Sequence, residues 1–394
     1  LDIGIGVGGE TYNQNYEYSR MAIDLALGRG GEQVVVKEGE NVVYYGGNSK
    51  QVEKNTRVKA RVKAHALREI IESREHVMIM GHSISDTDAF GAAIGIYCAA
   101  RVLGKKAQIV LDQVTSSLRP LKEGFTTEKG YPPDMFVSSE RALELTDYNT
   151  LVMVVDVNRP SHTECPGLLK RTDSIVVFDH HRQSSEVISN PVLSYIEPYA
   201  SSTCEMVAEV LQYFSENIKL APHEADCIYA GILIDTSNFM TKTGVRTFEA
   251  AAYLKRCGAE VTRVRKMLRN DMDAYKARAE VVRHAEVYRG AFAISICPAD
   301  KIESPTIVGA QAADELLNIV GIKASFVLTE YQGKIYVSSR SIDEINVQKI
   351  MERLGGGGHL NMAGCQLRDC TVSQAQRIIE DTIDEMLEEG DIEE

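Results

Sequence analysis

The stretch Val176-Val177-Phe178-Asp179-His180-His181 decides the fold of this chain. It begins with apolar residues, two of them β-branched, as does a strand that is buried on both faces of a parallel sheet. It ends in one carboxylic acid and two imidazoles. In open α/β sheets, ligands bind in the crevice beyond the carboxyl ends of the strands. The stretch therefore predicts a parallel α/β sheet with functional side chains at one edge.

Three other apolar runs end in the same types of side chain. The four runs and the polar residues that follow them are residues 77–81 with His82, Asp86 and Asp88, residues 151–155 with Asp156, residues 176–178 with Asp179, His180 and His181, and residues 231–234 with Asp235. Carboxylates combined with imidazoles suit Mn²⁺ best, with Mg²⁺ as a weaker match and Zn²⁺ or Fe²⁺ as competitors. The four runs therefore predict the ligand set of a two-metal hydrolase.

Structural roles unrelated to metal binding can also explain some of these residues. Asp86 can cap the helix that the sequence predicts over residues 88–103, and Asp156 can accept hydrogen bonds from loop amides. Because neighbouring residues of a strand point to opposite faces, we expect His180 and His181 to have different roles, one binding metal and the other contacting substrate or orienting a ligand. For each residue alone both interpretations stay open, and only the agreement of the four runs favours the metal site.

A second set of candidate residues surrounds the glycine-rich stretch Gly355-Gly356-Gly357-Gly358-His359. Glycines let the backbone approach a ligand closely and turn its N–H groups toward phosphate oxygens. His359 and Asn361 can add side-chain contacts, and Arg340 can clamp a phosphate or stack on a base. A flexible hairpin and an arginine in a surface ion pair explain the same residues, so these alternatives also stay open.

The composition limits the classes of function. A net charge of −13 argues against a general binder of long nucleic acids, which needs a basic face. No apolar stretch is long enough to span a bilayer and no signal peptide is visible, so we expect a soluble chain without membrane contact. The eight cysteines are scattered without a CxxC pair, which indicates reduced thiols in a cytoplasmic protein. Since the chain begins at Leu1 within a predicted strand, we expect it to be a fragment of a larger protein.

The length of 394 residues predicts two or three domains. The pattern of apolar runs predicts a short strand–helix–strand unit over residues 1–47, a connecting helix over 48–75, a parallel α/β domain over 76–240, a helical linker over 241–284 and a smaller α/β domain over 285–394. A helix predicted over residues 223–234 is expected to pass into a strand before Asp235.

The order of these motifs resembles the DHH phosphoesterase superfamily with its glycine-rich, DHH-associated C-terminal domain. The resemblance implies two Mn²⁺ ions per chain, or Mg²⁺ or other divalent ions in their place. One ion would be held by His82, Asp86 and Asp156, and the other by Asp88, Asp156, His180 and Asp235. A hydroxide between the ions would then attack phosphorus in line.

The same resemblance implies further roles. Asp179 would orient a ligand and His181 would bind the attacked phosphate. The GGGH loop of the family falls on Gly356, Gly357, Gly358 and His359, which with Arg340 and Asn361 would hold the far nucleotide of the substrate. Ser85 stands where many relatives carry proline, which affects the stiffness of the loop and no ligand position.

The first segment narrows the resemblance. Residues 3–9 and 22–34 resemble the C-terminal end of a degenerate GGDEF-type domain, and residues 235–239 and 246–251 strengthen the likeness to GdpP-type cyclic-di-AMP phosphodiesterases. This implies hydrolysis of cyclic-di-AMP to 5′-pApA by a homodimer at the cytoplasmic face, with upstream membrane helices in the parent protein. The GGDEF signature itself is absent from the sequence, so no cyclase activity is expected.

Two alternatives accompany this expectation. Stand-alone DHH proteins that act as linear-dinucleotide hydrolases (nanoRNases) or pAp phosphatases carry nearly identical motifs, so only the first segment argues against that activity. A nucleotide sensor without turnover is the third interpretation, and the complete ligand set argues against it. The preference for adenine rests on the resemblance alone.

Overall fold

The computed structural model of this protein describes residues 3–9, 11–28, 33–39, 41–46, 56–183, 186–269, 272–299, 302, 304–342 and 345–392, at a few of them, such as His359, by the backbone alone. The chain forms two compact units, Leu1–Leu268 and Arg269–Glu394. Within the described residues, no helix is both long and apolar enough to cross a membrane.

The first unit opens with a small three-stranded sheet and one helix. Its elements are β1 (Ile3–Val7), α1 (Tyr12–Gly28), β2 (Gln33–Glu38) and β3 (Asn41–Gly46). Through α1, β1 connects to β2 in parallel, and β2 pairs antiparallel with β3. Ala22, Leu25 and Ala26 of α1 pack around Val35. The predicted strand, helix and strand are confirmed, whereas the sequence does not predict β3. Residues 29–32 and 47–55 lie outside the described residues.

A six-stranded, all-parallel sheet forms the body of the first unit, in the order β6-β5-β4-β7-β8-β9. Its elements are α2 (Thr56–Glu72), β4 (His76–Met80), α3 (Thr87–Val102), β5 (Lys106–Val110), α4 (Arg119–Lys122), β6 (Phe136–Val137), α5 (Ser139–Leu145), β7 (Thr150–Val155), β8 (Ile175–Asp179), β9 (Leu193–Ile196), α6 (Thr203–Phe214), α7 (Pro222–Asp235), α8 (Val245–Arg256) and α9 (Val261–Met267). The predicted α/β class and parallel sheet are confirmed.

Both faces of this sheet are buried, which is why its strands are apolar without interruption. Along β7, Leu151, Met153 and Val155 belong to the core that α3, α6 and α7 complete. Val152 and Val154 alternate with them and belong to the core on the opposite face. Each strand therefore ends at an edge of the sheet that lies between two covered faces. The polar residue at the end of the strand is held in place there.

The strand expected before Asp235 is wrong. Residues 231–234 belong to α7, which continues as a helix to Asp235 itself. Nearly every residue of α7 from Glu224 to Leu233 is buried, so the apolar residues show no helical period. A short apolar run of this kind does not distinguish a strand from a buried helix.

The second unit is a mixed sheet with helices on both faces, in the order β10-β11-β12-β13-β15-β14. Its elements are α10 (Met272–Arg283), β10 (Glu286–Tyr288), β11 (Phe292–Cys297), α11 (Pro305–Leu316), β12 (Ala324–Tyr331), β13 (Lys334–Ser341), α12 (Val347–Arg353), β14 (Gly357–His359), β15 (Met362–Leu367) and α13 (Val372–Glu388). One core includes α10 and α11, and the other includes α12 and α13. The smaller α/β part of the prediction is confirmed.

Candidate metal centre

Three neighbouring strands lead to most of a cluster of acids and histidines. β4, β7 and β8 are adjacent in the sheet, and their carboxyl ends lead to His82, Asp156 and His180. Because the strands are parallel, these ends share one edge of the sheet. Asp86 is the N-cap of α3 and Asp88 lies in its first turn. Three of the four predicted segments, residues 77–88, 151–156 and 176–181, are thus brought together in space.

The more exposed group, here called the outer cluster, consists of His82, Asp86 and Asp156. The Nε2 atom of His82 lies 3.5 Å from Oδ2 of Asp86 and 3.7 Å from Oδ2 of Asp156. One ligand atom from each residue lies within 4.8 Å of the others. The outer cluster therefore has the spacing of a metal site that opens toward solvent.

The more buried group, here called the inner cluster, consists of Asp88, His180 and Asp235. The Nε2 atom of His180 lies 3.2 Å from Oδ2 of Asp235 and 3.9 Å from Oδ2 of Asp88. It also lies 3.5 Å from Oδ1 of Asp156. Asp156 therefore lies between the two clusters, with Oδ1 nearer to His180 and Oδ2 nearer to His82.

The donor set fits divalent cations. The Nε2 atom of His180 is buried and has no hydrogen-bond partner among the described residues, although carboxylates surround it. Within the described part of the chain, no lysine or arginine forms an ion pair with any carboxylate of the two clusters. Buried carboxylates without a cation are costly, and a bound divalent ion compensates their charge. Oxygen and imidazole donors together suit Mn²⁺, with other divalent ions competing.

The pKa values of these groups reflect burial and the close approach of carboxylates and imidazoles to one another. Burial raises the pKa of Asp88 well above its usual range, and the nearby carboxylates of Asp156 and Asp235 raise it further. Burial lowers the pKa of His180, but Asp156 and Asp235 outweigh this effect and raise it well above its usual value. Burial also lowers the pKa of His82, but Asp86 and Asp156 outweigh burial and raise this pKa to about 10. In the metal-free protein, the neighbouring acids therefore favour the protonated form of both imidazoles.

Asp86 caps a helix and also faces the outer cluster. Its Oδ1 atom accepts hydrogen bonds from the backbone N–H groups of Asp88 and Ala89, at 2.9 and 3.0 Å, and so caps α3. Its Oδ2 atom faces His82. The cap fixes the plane of the Asp86 carboxylate, so the start of α3 also positions this member of the outer cluster.

His180 and His181 depart from the expectation that they point in different directions. β8 ends at Asp179, so neither histidine lies in a strand, and their ring centroids are 4.4 Å apart. The Nδ1 atom of His181 lies 3.6 Å from Oδ1 of Asp156. The strand rule does not apply beyond the last paired residue, and both rings approach the same carboxylate.

Asp179 is buried beneath His181 and orients it. Its Oδ1 atom lies 2.8 Å from Nδ1 of His181 and accepts a hydrogen bond from the backbone N–H of the same residue at 3.0 Å. The side-chain amide of Asn158 donates to Oδ2 at 2.5 Å. Burial raises the pKa of Asp179, but His181 outweighs burial and the pKa is lowered. The side chain of His181 remains 44% exposed, so its ring is held at one end and open to the solvent side.

The first turn of α6 supplies contacts that the sequence analysis missed. The backbone N–H groups of Thr203 and Cys204 donate to the two oxygens of Asp88, at 2.7 and 2.9 Å. The hydroxyl of Thr203 donates to Oδ1 of Asp156 at 3.0 Å. A sequence signal exists in the run Ser201-Ser202-Thr203, but it is typical of any helix start.

The glycine-rich stretch lies in the second unit and forms the β14–β15 hairpin. A Cβ atom at Gly356 would lie 2.2 Å from the carbonyl oxygen of Gly364, and one at Gly358, where φ is +150°, would lie 2.4 Å from that of Met362. A Cβ atom at Gly357 would meet none of the described atoms within 4 Å. The fold therefore requires two of these glycines and leaves the third unexplained.

The other predicted substrate contacts lie near this hairpin. Arg340 donates from Nε to Oδ1 of Asp314 at 2.7 Å and from Nη1 to the carbonyl of Ser339 at 3.0 Å, so the ion-pair interpretation holds for part of its guanidinium. Asn361 lies in the turn, where its carbonyl accepts from the N–H of Ser341. A cleft of about 510 Å³ adjoins the glycines and is lined by Tyr336, Val337, Ser338, Gly355, Gly356, Gly364, Cys365, Gln366, Arg368 and Thr306.

Comparison with known domain families gives two matches. The N-terminal domain of the DHH family matches residues 76–232. The DHHA1 domain matches residues 292–389. The first match contains all residues of the two clusters except Asp235, which lies just beyond it, and the second contains the glycine-rich hairpin.

Curated proteins and solved structures extend these matches. Cyclic-di-AMP phosphodiesterase GdpP of Geobacillus thermodenitrificans is 42% identical over 395 residues, covering 99% of this chain and 60% of that relative. Cyclic-di-AMP phosphodiesterase PdeA of Listeria monocytogenes is 40% identical over 388 residues, covering 98% of this chain and 59% of that relative. This chain thus spans about 60% of the length of these relatives. An exopolyphosphatase-related protein from Bacteroides fragilis has a similar fold, with a TM-score of 0.71 at 18% identity, covering 86% of this chain and 98% of that one.

Proposed function

Because this chain belongs to the DHH family and carries a DHHA1 domain, we propose that it is a metal-dependent phosphodiesterase that hydrolyses cyclic-di-AMP to 5′-pApA. The observation that carries the reaction type is the position of Asp156 between the two clusters of carboxylates and imidazoles. The choice of substrate is supported by the names of relatives that are 40–42% identical over nearly the whole chain.

Two Mn²⁺ ions per chain fit this proposal, with Mg²⁺ or another divalent ion as the alternative. The outer cluster, His82, Asp86 and Asp156, would hold one ion. The inner cluster, Asp88, His180 and Asp235, would hold the other together with Asp156. When bound, two such ions supply a nucleophile at neutral pH and neutralise the charge that develops on the attacked phosphate.

The candidate residues outside the two clusters bind and orient the substrate. Asp179 fixes the ring of His181, whose exposed side contacts the attacked phosphate. Arg340, Gly356, Gly357, Gly358, His359 and Asn361 hold the far nucleotide. Support for this second role comes from the cleft beside the hairpin and from Gly357, where the fold leaves room that a ligand can use.

A linear-dinucleotide hydrolase or pAp phosphatase is the second candidate, because its motifs coincide with those of the leading one. The similarity to the cyclic-di-AMP phosphodiesterases covers 99% of this chain, including the residues before position 76 that the DHH domain match does not reach. That extension favours the cyclic substrate. A sensor without turnover is disfavoured, because every expected ligand position holds an acid or a histidine.

The proposal includes the organisation of the protein. Residues 1–47 are the end of a degenerate GGDEF-type domain, 48–75 a connecting helix, 76–240 the DHH domain, 241–284 a helical linker and 285–394 the DHH-associated domain. We further propose a homodimer at the cytoplasmic face of a membrane, with membrane helices in the parent protein, on the basis of the resemblance to GdpP-type proteins alone.

Hydrolysis assays test this proposal directly. The protein is incubated with cyclic-di-AMP, cyclic-di-GMP or pApA in the presence of Mn²⁺, Mg²⁺ or EDTA, and the products are resolved by chromatography. We expect Mn²⁺-dependent accumulation of pApA with cyclic-di-AMP preferred, and no turnover by Asp156→Asn. Conversion of pApA to AMP with cyclic-di-AMP untouched would establish the second candidate, and activity that persists in EDTA would exclude a metal mechanism.

A further inference from the structure

The first turn of α6 contacts both carboxylates that lie deepest in the centre. Thr203 and Cys204 are completely buried, and their backbone N–H groups bind the two oxygens of Asp88. Asp156 is bound from the same turn, by the hydroxyl of Thr203. A helix N-terminus favours negative charge, so this turn stabilises the ionised carboxylates as well as fixing their positions.

The hydroxyl of Thr203 contacts Oδ1 of Asp156, and the position of this oxygen determines how the carboxylate is oriented. Oδ1 of Asp156 accepts the Thr203 hydroxyl at 3.0 Å and lies 3.5 Å from Nε2 of His180. With Oδ1 held there, Oδ2 is directed toward His82. The backbone of Asp156 has a φ of +62°, an unfavourable conformation for a residue other than glycine. Such strain persists where surrounding contacts over-determine it.

A buried polar network holds α6 in place from its other side. Oε2 of Glu205 accepts hydrogen bonds from the hydroxyls of Ser201 and Thr247, both at 2.6 Å. Arg246 forms two hydrogen bonds to Glu209 one turn further along α6, at 2.8 and 2.7 Å. The helix start that binds the carboxylates is therefore anchored to α8 and cannot shift without breaking buried interactions.

We propose that Thr203 is a positioning residue whose hydroxyl sets the orientation of Asp156 and thereby the affinity of the centre for divalent cations. This inference rests on the proposed function only in taking the two clusters to be metal sites. Groups that orient metal ligands typically change metal affinity about 10- to 100-fold when they are removed. Thr203 itself contacts neither substrate nor metal in this role.

The experiment compares Mn²⁺ binding by three variants of the full chain, measured by isothermal titration calorimetry. Thr203→Val keeps the shape and removes the hydroxyl, and we expect Mn²⁺ affinity about 10- to 100-fold weaker than in the wild type. Thr203→Ser keeps the hydroxyl, and we expect an affinity close to that of the wild type. Thr382→Val is the matched control. Thr382 is a buried helical threonine like Thr203, but its hydroxyl donates to the backbone carbonyl of Ile378.

Melting temperatures of the metal-free variants separate positioning from folding. We expect both valine variants to melt somewhat below the wild type and only Thr203→Val to lose Mn²⁺ affinity. Wild-type affinity in Thr203→Val, or an equal loss in Thr203→Ser or in Thr382→Val, would overturn the inference. If Thr203→Val does not fold, weakened Mn²⁺ binding by a folded Thr203→Ser variant would still overturn the inference. Absence of Mn²⁺ binding by the wild type would instead overturn the metal part of the proposed function.

Discussion

The Nε2 atom of His180 lies 3.2 Å from the Oδ2 atom of Asp235, although one residue follows a strand and the other ends a helix. The inner cluster is thus assembled from two kinds of element. The site requires only that residues 231–234 end where Asp235 can reach the inner cluster. A helix meets this requirement as well as a strand. The wrong secondary structure predicted before Asp235 therefore left its place in the centre unaffected.

Asp235→Asn should separate the stability of the inner cluster from its function. The substitution removes one charge from a buried group of carboxylates, so we expect the metal-free protein to melt no lower than the wild type. Mn²⁺ binding should weaken, and turnover should fall about 100-fold or more, because a bound metal contributes several kcal/mol to the transition state. Calorimetry and product analysis with cyclic-di-AMP measure the two effects.

Asp173→Asn is the matched control for this substitution, because Asp173 is exposed and precedes β8 at the opposite end of the strand from the cluster. It should leave Mn²⁺ affinity and turnover unchanged. Wild-type metal affinity and turnover in Asp235→Asn would remove Asp235 from the metal ligands.

The strand ends of the centre could be predicted because a strand that is buried on both faces has a continuous apolar run. His82, Asp156 and His180 follow such runs, and their convergence needs only parallel neighbours. Thr203 could not be found in this way. Its role depends on the start of α6 meeting Asp88 across the fold, and no local pattern encodes a contact between residues so far apart in the sequence.

The relation between His180 and His181 shows a different limit. The alternation rule holds for paired strand residues, and the sequence alone does not reveal that pairing ends at Asp179. Element boundaries are set by tertiary hydrogen bonds, here the contact of the Glu197 N–H with the carbonyl of Asp179 at 3.0 Å. The alternation rule therefore predicts opposite directions for two rings that both lie near Asp156.

Gly357→Ala should affect binding without affecting folding. Among the atoms that the structure describes, a Cβ there meets nothing within 4 Å, so we expect an unchanged melting temperature. If the bare backbone at this position contacts the substrate, as proposed, KM for cyclic-di-AMP should rise while Mn²⁺ affinity stays the same. Steady-state kinetics and a thermal melt measure the two quantities.

Gly356→Ala provides the contrast within the same loop. Its Cβ atom would lie 2.2 Å from the carbonyl oxygen of Gly364, so the hairpin must shift and the second unit should melt at a lower temperature. Unaltered KM in Gly357→Ala would show that this glycine does not approach the substrate.

Arg246→Leu should destabilise the first unit. Arg246 is buried and pairs with Glu209 at 2.7 Å, with Glu205 also 3.5 Å away. Removing the guanidinium leaves the buried Glu209 carboxylate without its ion-pair partner and Glu205 without a nearby positive charge. Breaking a buried ion pair in this way typically costs about 3–5 kcal/mol of unfolding free energy. Urea denaturation followed by circular dichroism measures the loss.

Glu249→Gln is the comparison for an exposed ion pair, because Glu249 bonds to Arg57 on the surface. Such pairs are screened by solvent, and little change in the urea midpoint is expected. A similar small change in Arg246→Leu would mean that the network around Glu205 does not depend on the arginine.

The stabilisation of the protein by Mn²⁺ should increase with pH. In the metal-free protein the pKa of His82 is raised from 6.5 to about 10, so this imidazole contributes stability that is complete below pH 6.5 and lost as the pH rises toward 10. Burial and neighbouring acids also raise the pKa of Asp88, and its ionisation at higher pH again destabilises the metal-free state. Metal binding requires the ligands without their protons, so the bound state changes in the opposite direction.

The difference in melting temperature between Mn²⁺-loaded and metal-free protein should therefore be larger at about pH 8.5 than at about pH 6. Asp86 and Asp179 do not reverse this trend, because their pKa values are lowered and their ionisation is complete well below that range. Calorimetry in two buffers of different ionisation enthalpy should also detect protons released on Mn²⁺ binding. Asp156→Asn, which lacks the carboxylate between the two clusters, should show little stabilisation at either pH. A pH-independent difference in the wild type would mean that protons do not occupy the imidazoles of the metal-free centre.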